Sequence, residues 1–177
     1  MPTPPTFVTG AVLTAAQMNT IGMFLVKTQT IGTGVSSVTV TGAFSADYDN
    51  YLITVSGGAG STSSPLTMQL GSKVTNYYYQ LLYGNYANTP LAAGSTTATS
   101  FVFVGAYDAN SISMNCTVMN PNLAKPTTVS ATCNNGTSFS GNLTGYDATT
   151  TQYTAFTLIP ASGTLTGGTI RVYGYRN

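Results

Sequence analysis

Thr169-Ile-Arg-Val-Tyr-Gly-Tyr175 carries a two-residue period. Ile170, Val172 and Gly174 fall on one side of an extended chain, and Arg171, Tyr173 and Tyr175 on the other. This is the two-residue period of a strand with one buried face. Phe156 and Leu158 repeat it in FTLI, residues 156–159. Working outward, β-branched and aromatic runs separated by Gly, Ser, Asn and Pro clusters fill the chain from Thr28 onward, the texture of strands and turns. Strands are expected at 35–41, 51–56, 66–70, 77–83, 99–104, 111–119, 127–132, 152–159 and 169–175. Short strands at this spacing, with no helical stretch between them, point to an all-β fold: an antiparallel β-sandwich, jelly-roll-like, rather than a parallel α/β sheet. The small-residue tracts 57–64 and 92–100, and the Asn-Gly-rich tract 134–145, are expected as loops.

The front of the chain has a different grammar. MPTPPTF, residues 1–7, is Pro-rich and expected to be extended. Thr14-Ala15-Ala16-Gln17 then fits a capping box, and Leu13 and Met18 occupy the two positions of a hydrophobic staple around it. Met18 and Ile21 with Phe24 or Leu25 share one face at helical spacing, and Gly22 weakens the interior. A helix of at most about three turns is too short to be stable alone and must dock on something. The domain plan is therefore an arm at 1–27 and a β-sandwich at 28–177.

Charge excludes several function classes. The 177 residues carry Lys27, Lys73, Lys125, Arg171 and Arg176 against Asp47, Asp49, Asp108 and Asp147, net +1, with no Glu, His or Trp. Five scattered cations do not make the clustered footprint that nucleic acid requires. So few charges leave solubility to Thr, Ser, Asn and Gln, and near-zero net charge favours association. The N-terminus lacks a basic, apolar secretory pattern and no window reaches 18 apolar residues, so neither export nor membrane insertion is expected. Cys116 and Cys133 are flanked by strand-like sequence. Two buried thiols or one cross-strand disulfide both fit.

Chemistry is tested by inventory. Without His there is no Ser-His-Asp or Cys-His arrangement and no His-containing metal site. Of the four Asp, none stands in an apolar setting that suggests a tuned acid, and Asp47-Tyr48-Asp49-Asn50 reads as a polar turn in preference to a calcium loop. No catalytic residue, metal or cofactor is expected. The twelve tyrosines are more open to a functional reading, above all NYYYQLLYGNY, residues 76–86. Tyr with Asn and Ser is the chemistry of adaptable contact surfaces. On a strand its rings must divide between core and partner. Tyr77, Tyr79, Tyr83 and Tyr86 are taken as the possible contact surface.

FVTGAVLTAAQMNTI, residues 7–21, resembles the short N-terminal motif of tailed-bacteriophage fibre and other virion-surface proteins, with Gly10, Leu13, Thr14, Ala15, Ala16, Met18 and Asn19 on the pattern. FSADYDNYLITVSG, residues 44–57, and GGTIRVYGYRN, residues 167–177, are similar to early and closing strands of β domains in such proteins. The resemblance implies a non-enzymatic structural protein of the virion, made in the host cytoplasm. Its arm (Phe7, Val12, Leu13, Thr14, Gln17, Met18, Ile21, Phe24, Leu25) would attach to other virion proteins of capsid or tail, while the β domain projects, commonly as a homotrimer. No long shaft, repeat or coiled coil is present, so the resemblance implies a short tail or head fibre, with a capsid decoration or cement protein as the alternative. A host receptor- or glycan-binding module is the second alternative.

Overall fold

The structure, a computed structural model, describes residues 9, 10, 12, 14, 22–135 and 138–175. Among these the chain is all-β and antiparallel. The strands in chain order are β1 (Phe24–Thr30), β2 (Val38–Thr41), β3 (Asn50–Ser56), β4 (Ala59–Gly60), β5 (Ser64–Leu70), β6 (Tyr77–Asn85) and β7 (Thr89–Ala98). They continue with β8 (Phe101–Tyr107), β9 (Ile112–Met119), β10 (Thr127–Asn135), β11 (Phe139–Asp147), β12 (Ala155–Pro160), β13 (Leu165–Thr166) and β14 (Thr169–Tyr175).

One layer runs β1-β14-β3-β9-β10-β11-β6-β7, and the other β2-β12-β5-β8. The two join at β9: Ile112 to Met114 pair with β8, and Met114 to Met119 pair with β3. Beyond that corner β8 folds back across β10, β11 and β6, giving a sandwich-like body. A two-stranded ribbon of β4 and β13 closes one end.

Alternation explains the layers. In β14, Ile170, Val172 and Gly174 are buried while Arg171, Tyr173 and Tyr175 are half-exposed, as the opening stretch requires. Ile53, Val55, Cys116, Val118, Val129 and Leu143 from the larger layer meet Val40, Leu66, Met68, Leu70, Phe156 and Leu158 from the smaller one. Cys116 and Cys133 are both buried and both free.

Three expectations are corrected. Phe24 and Leu25, assigned to a helical face, lie in β1, which pairs with β14 from Phe24↔Gly174 to Thr30↔Thr169. Residues 24–27 thus belong to the sheet rather than to the arm. Residues 92–98, expected in a loop, form most of β7, an exposed edge strand that needs no large apolar side chain. Residues 139–145, also expected in a loop, lie in β11, where Gly141 and Gly145 are covered by Tyr83 and Phe101: a Cβ there would come within 2.4 Å and 2.9 Å of those side chains. These glycines make room for aromatic neighbours and do not mark turns.

Of the expected arm and its helix, Phe7, Leu13, Gln17, Met18 and Ile21 lie outside the described residues. Val12 and Thr14, which are described, are exposed.

Candidate functional site

The β6–β7 hairpin borders two surface hollows. Its turn is held by Asn85, whose backbone carbonyl accepts from Asn88 N–H (3.1 Å) and whose side chain accepts from Thr89 N–H (3.0 Å), with Asn88 in the left-handed region at φ 65°. Along β6 the side chains separate cleanly. Tyr77, Tyr79, Leu81 and Tyr83 point toward the core, and Tyr78, Gln80 and Leu82 point outward.

On the outward face Tyr78 sits opposite Tyr146 of β11, and Tyr146 opposite Thr128 of β10. The two tyrosine rings stack with centroids 4.8 Å apart and planes 25° from parallel. In the next row Gln80 lies between Thr144 on β11 and Gly94 on β7. A bulge in β7 sets two residues, Thr96 and Thr97, against Tyr78 alone, which brings Thr96 to the hollow. The result is a groove of about 420 Å³ lined by Tyr78, Gln80, Thr96, Thr128, Thr144 and Tyr146, among others.

None of its lining side chains is charged. The side chains of Tyr78, Gln80, Thr96, Thr128, Thr144 and Tyr146 make no hydrogen bond to another described residue, so their donors and acceptors are available. Further along the same face lies a second hollow of about 440 Å³, lined by Leu82, Asn85, Pro90, Ser140 and Asn142 among others. Leu82 is one of the most exposed large apolar side chains of the described chain, at 61%.

The tyrosines named from the sequence fall differently. Tyr77 is fully buried: its hydroxyl accepts from Leu70 N–H (2.8 Å), donates to Lys73 C=O (3.0 Å), and its ring meets Phe101 edge to face. Desolvation raises its pKa well above the ordinary tyrosine value. It is a structural pin and no part of a contact surface.

Tyr79 and Tyr83 are half-buried against the core, the latter beside Phe103 and Phe139. Phe103 holds the left-handed region at φ 56°, where a bulky side chain is strained. Only Tyr86 is freely exposed, donating to Asn134 Oδ1 at 3.3 Å. The sequence reading missed Tyr78 and Tyr146. For Tyr78 the signal was parity with Gln80 and Leu82; Tyr146 lay beside a tract assigned to loop.

A second polar cluster lies inside. The Asp147 side chain is fully buried, yet its immediate partners are polar. It accepts from Lys73 Nζ (3.2 Å), Thr149 N–H (3.0 Å), Thr149 Oγ1 (2.8 Å) and the Tyr153 hydroxyl. Desolvation pushes its pKa up, but the bonds from Tyr153, Thr149 and Lys73 together outweigh burial and hold it below the usual carboxylate range. Tyr153 is raised, by burial first and then by this bond. A carboxylate this well satisfied is suited to holding the 147–153 loop in place. Among the described residues no group of three or more His, Cys, Asp or Glu is placed to hold a metal ion.

No protein family matches the chain, and no curated protein or solved structure does so either. The groove offers aromatic faces, hydroxyls and one amide without charge, which is recognition chemistry.

Proposed function

We propose that this chain is a non-enzymatic structural protein of a tailed-phage virion, made in the host cytoplasm. In this reading it is a short, surface-projecting homotrimer whose jelly-roll-like sandwich is anchored through its N-terminal arm. The observation that carries the reading is the 7–21 motif, joined to the body through β1. Among the described residues that strand lies at one end of the larger layer, paired with β14. An arm leaving from an edge strand can reach a neighbouring subunit or a groove on the particle without disturbing the core. Three identical β bodies would close a heterologous interface around a threefold axis. A capsid decoration or cement protein uses the same parts at a different place on the particle.

The test is imaging joined to mass. Antibody-gold labelling of virions of the encoding phage is expected to decorate the particle at head or tail, and light scattering of the purified chain to give three times the 18.3 kDa subunit mass. A stable monomer together with unlabelled particles would remove the proposal.

The second reading, a host receptor- or glycan-binding module, is favoured by one specific observation, the stacked Tyr78–Tyr146 pair in an uncharged groove.

A further inference from the structure

We infer that the outward face of β10, β11, β6 and β7 is a binding site for a neutral oligosaccharide, with Tyr78 and Tyr146 as its aromatic platform. The inference deepens the glycan-binding reading and does not depend on where the protein sits on a virion.

Three observations converge on this ligand class. The first is the platform: the stacked pair leaves ring surface at the groove, with Tyr146 42% exposed. A pyranose ring carries an apolar C–H face that packs on an aromatic face, while its hydroxyls point sideways. Tyrosine supplies both an apolar body and a polar tip for such a ligand.

The second is the surround. Gln80, Thr96, Thr128 and Thr144 border the platform with hydroxyl and amide groups that bond no other described residue. Hydroxyls and amides both donate and accept, as sugar hydroxyls require. The lining lacks Lys, Arg and Asp. An anionic ligand such as phosphate or sialic acid would find no countercharge.

The third is length. Tyr78 and Leu82 face the same side of β6 four residues apart, about 13 Å at the strand rise. The second hollow continues from Leu82 past Asn142 and Ser140. The two hollows, about 420 and 440 Å³, are each within the range of small-ligand sites. A linear neutral chain lying along β6 would place one residue on the tyrosines and a later one over Leu82 and Asn142. Binding should therefore strengthen with chain length.

The full-length protein is to be applied to a printed array of neutral and acidic glycans, and hits followed by saturation-transfer NMR. The expected result is binding of neutral oligosaccharides in preference to sialylated ones, and tetrasaccharides bound more tightly than the corresponding monosaccharides. Tyr146→Ala should weaken binding at least about tenfold, the equivalent of 1.4 kcal/mol, and Leu82→Ala should weaken tetrasaccharide but not monosaccharide binding. Tyr86→Ala, outside the groove lining, should leave both unchanged. Each variant is compared by its thermal transition; Gln80→Ala serves as a second probe if Tyr146→Ala fails to fold.

Absence of neutral-glycan binding, unchanged binding by both Tyr146→Ala and Gln80→Ala, or preference for acidic glycans overturns the inference. So would a loss of self-association in Tyr146→Ala without any glycan binding, which would make this face a contact between copies of the chain. Particle labelling is unaffected by any of these results, so failure here and failure of the virion reading are distinguishable.

Discussion

Asp147 is the residue on which the inner polar cluster depends, since it alone receives Lys73, Thr149 and Tyr153. Its folded pKa is depressed below the unfolded value of about 3.9. The native state therefore binds fewer protons than the unfolded state in that window, and stability rises with pH there. The contribution is fully present above the unfolded pKa and is lost as pH falls through the folded one. Urea unfolding of the parent and Asp147→Asn is expected to differ by about 3 kcal/mol at neutral pH, the cost of breaking a buried pair. The difference should shrink below about pH 4, and a constant difference down to pH 2 would show that Asp147 is not the linked group.

Tyrosine shows why residues of one type resist functional assignment from sequence. Tyr51 accepts from Ser45 N–H (2.8 Å) and donates to Ser45 C=O (2.9 Å), Tyr107 does the same with Ser162, and Tyr77 bridges Leu70 and Lys73. Each satisfies two backbone groups that would otherwise cost about 1–3 kcal/mol apiece if buried unpaired. The clustering of Tyr77 with Tyr78 and Tyr79 was visible in the sequence. Which ring faced the core depended on strand register, which is fixed by partners distant in the chain.

Among the elements, β1 is attached by an aromatic device that the chain order conceals. Phe24, Gly174 and Tyr51 form one row across β1, β14 and β3. The Tyr48 ring lies on Gly174, its centroid 6.1 Å from those of both Phe24 and Tyr51. A Cβ at position 174 would sit 2.5 Å from two atoms of that ring. Gly174→Ala should therefore expel Tyr48 and destabilise the protein by about 1–3 kcal/mol, the usual range for overpacking. Amide exchange in Val26 to Thr30 should speed up more than exchange in β5. Equal acceleration in both strands would mean that the ring does not specifically hold β1.

Elements with clean alternation around large apolar residues were legible: β3, β5, β9, β12 and β14 all fall within or beside the expected segments. β7 and β11 were not, because Gly, Ser, Thr and Asn read as loop when partner side chains are unknown. Gly141 and Gly145 are required by Tyr83 and Phe101, over 40 residues away. Phe24 and Leu25 suited either period, and pairing with β14 decided between them.

Across the molecule, the proposed recognition face on β10, β11, β6 and β7 lies at the opposite end of the larger layer from β1. That separation suits a projecting protein: attachment at one edge leaves the far face open. In a trimer the three grooves would act together, and linked sites raise avidity without any new contact. The all-β class and the low charge were legible from composition and period alone. The groove was not, because it is assembled from four strands.

In the proposed role, residues 1–21 attach the body to the particle and the body folds without them. This role is tested most directly by supplying the tagged full chain or residues 22–177 during phage growth and measuring each in purified virions. Residues 22–177 are expected to melt like the full chain and to be absent from particles that contain the full chain. Equal incorporation of both, or absence of both, would contradict it.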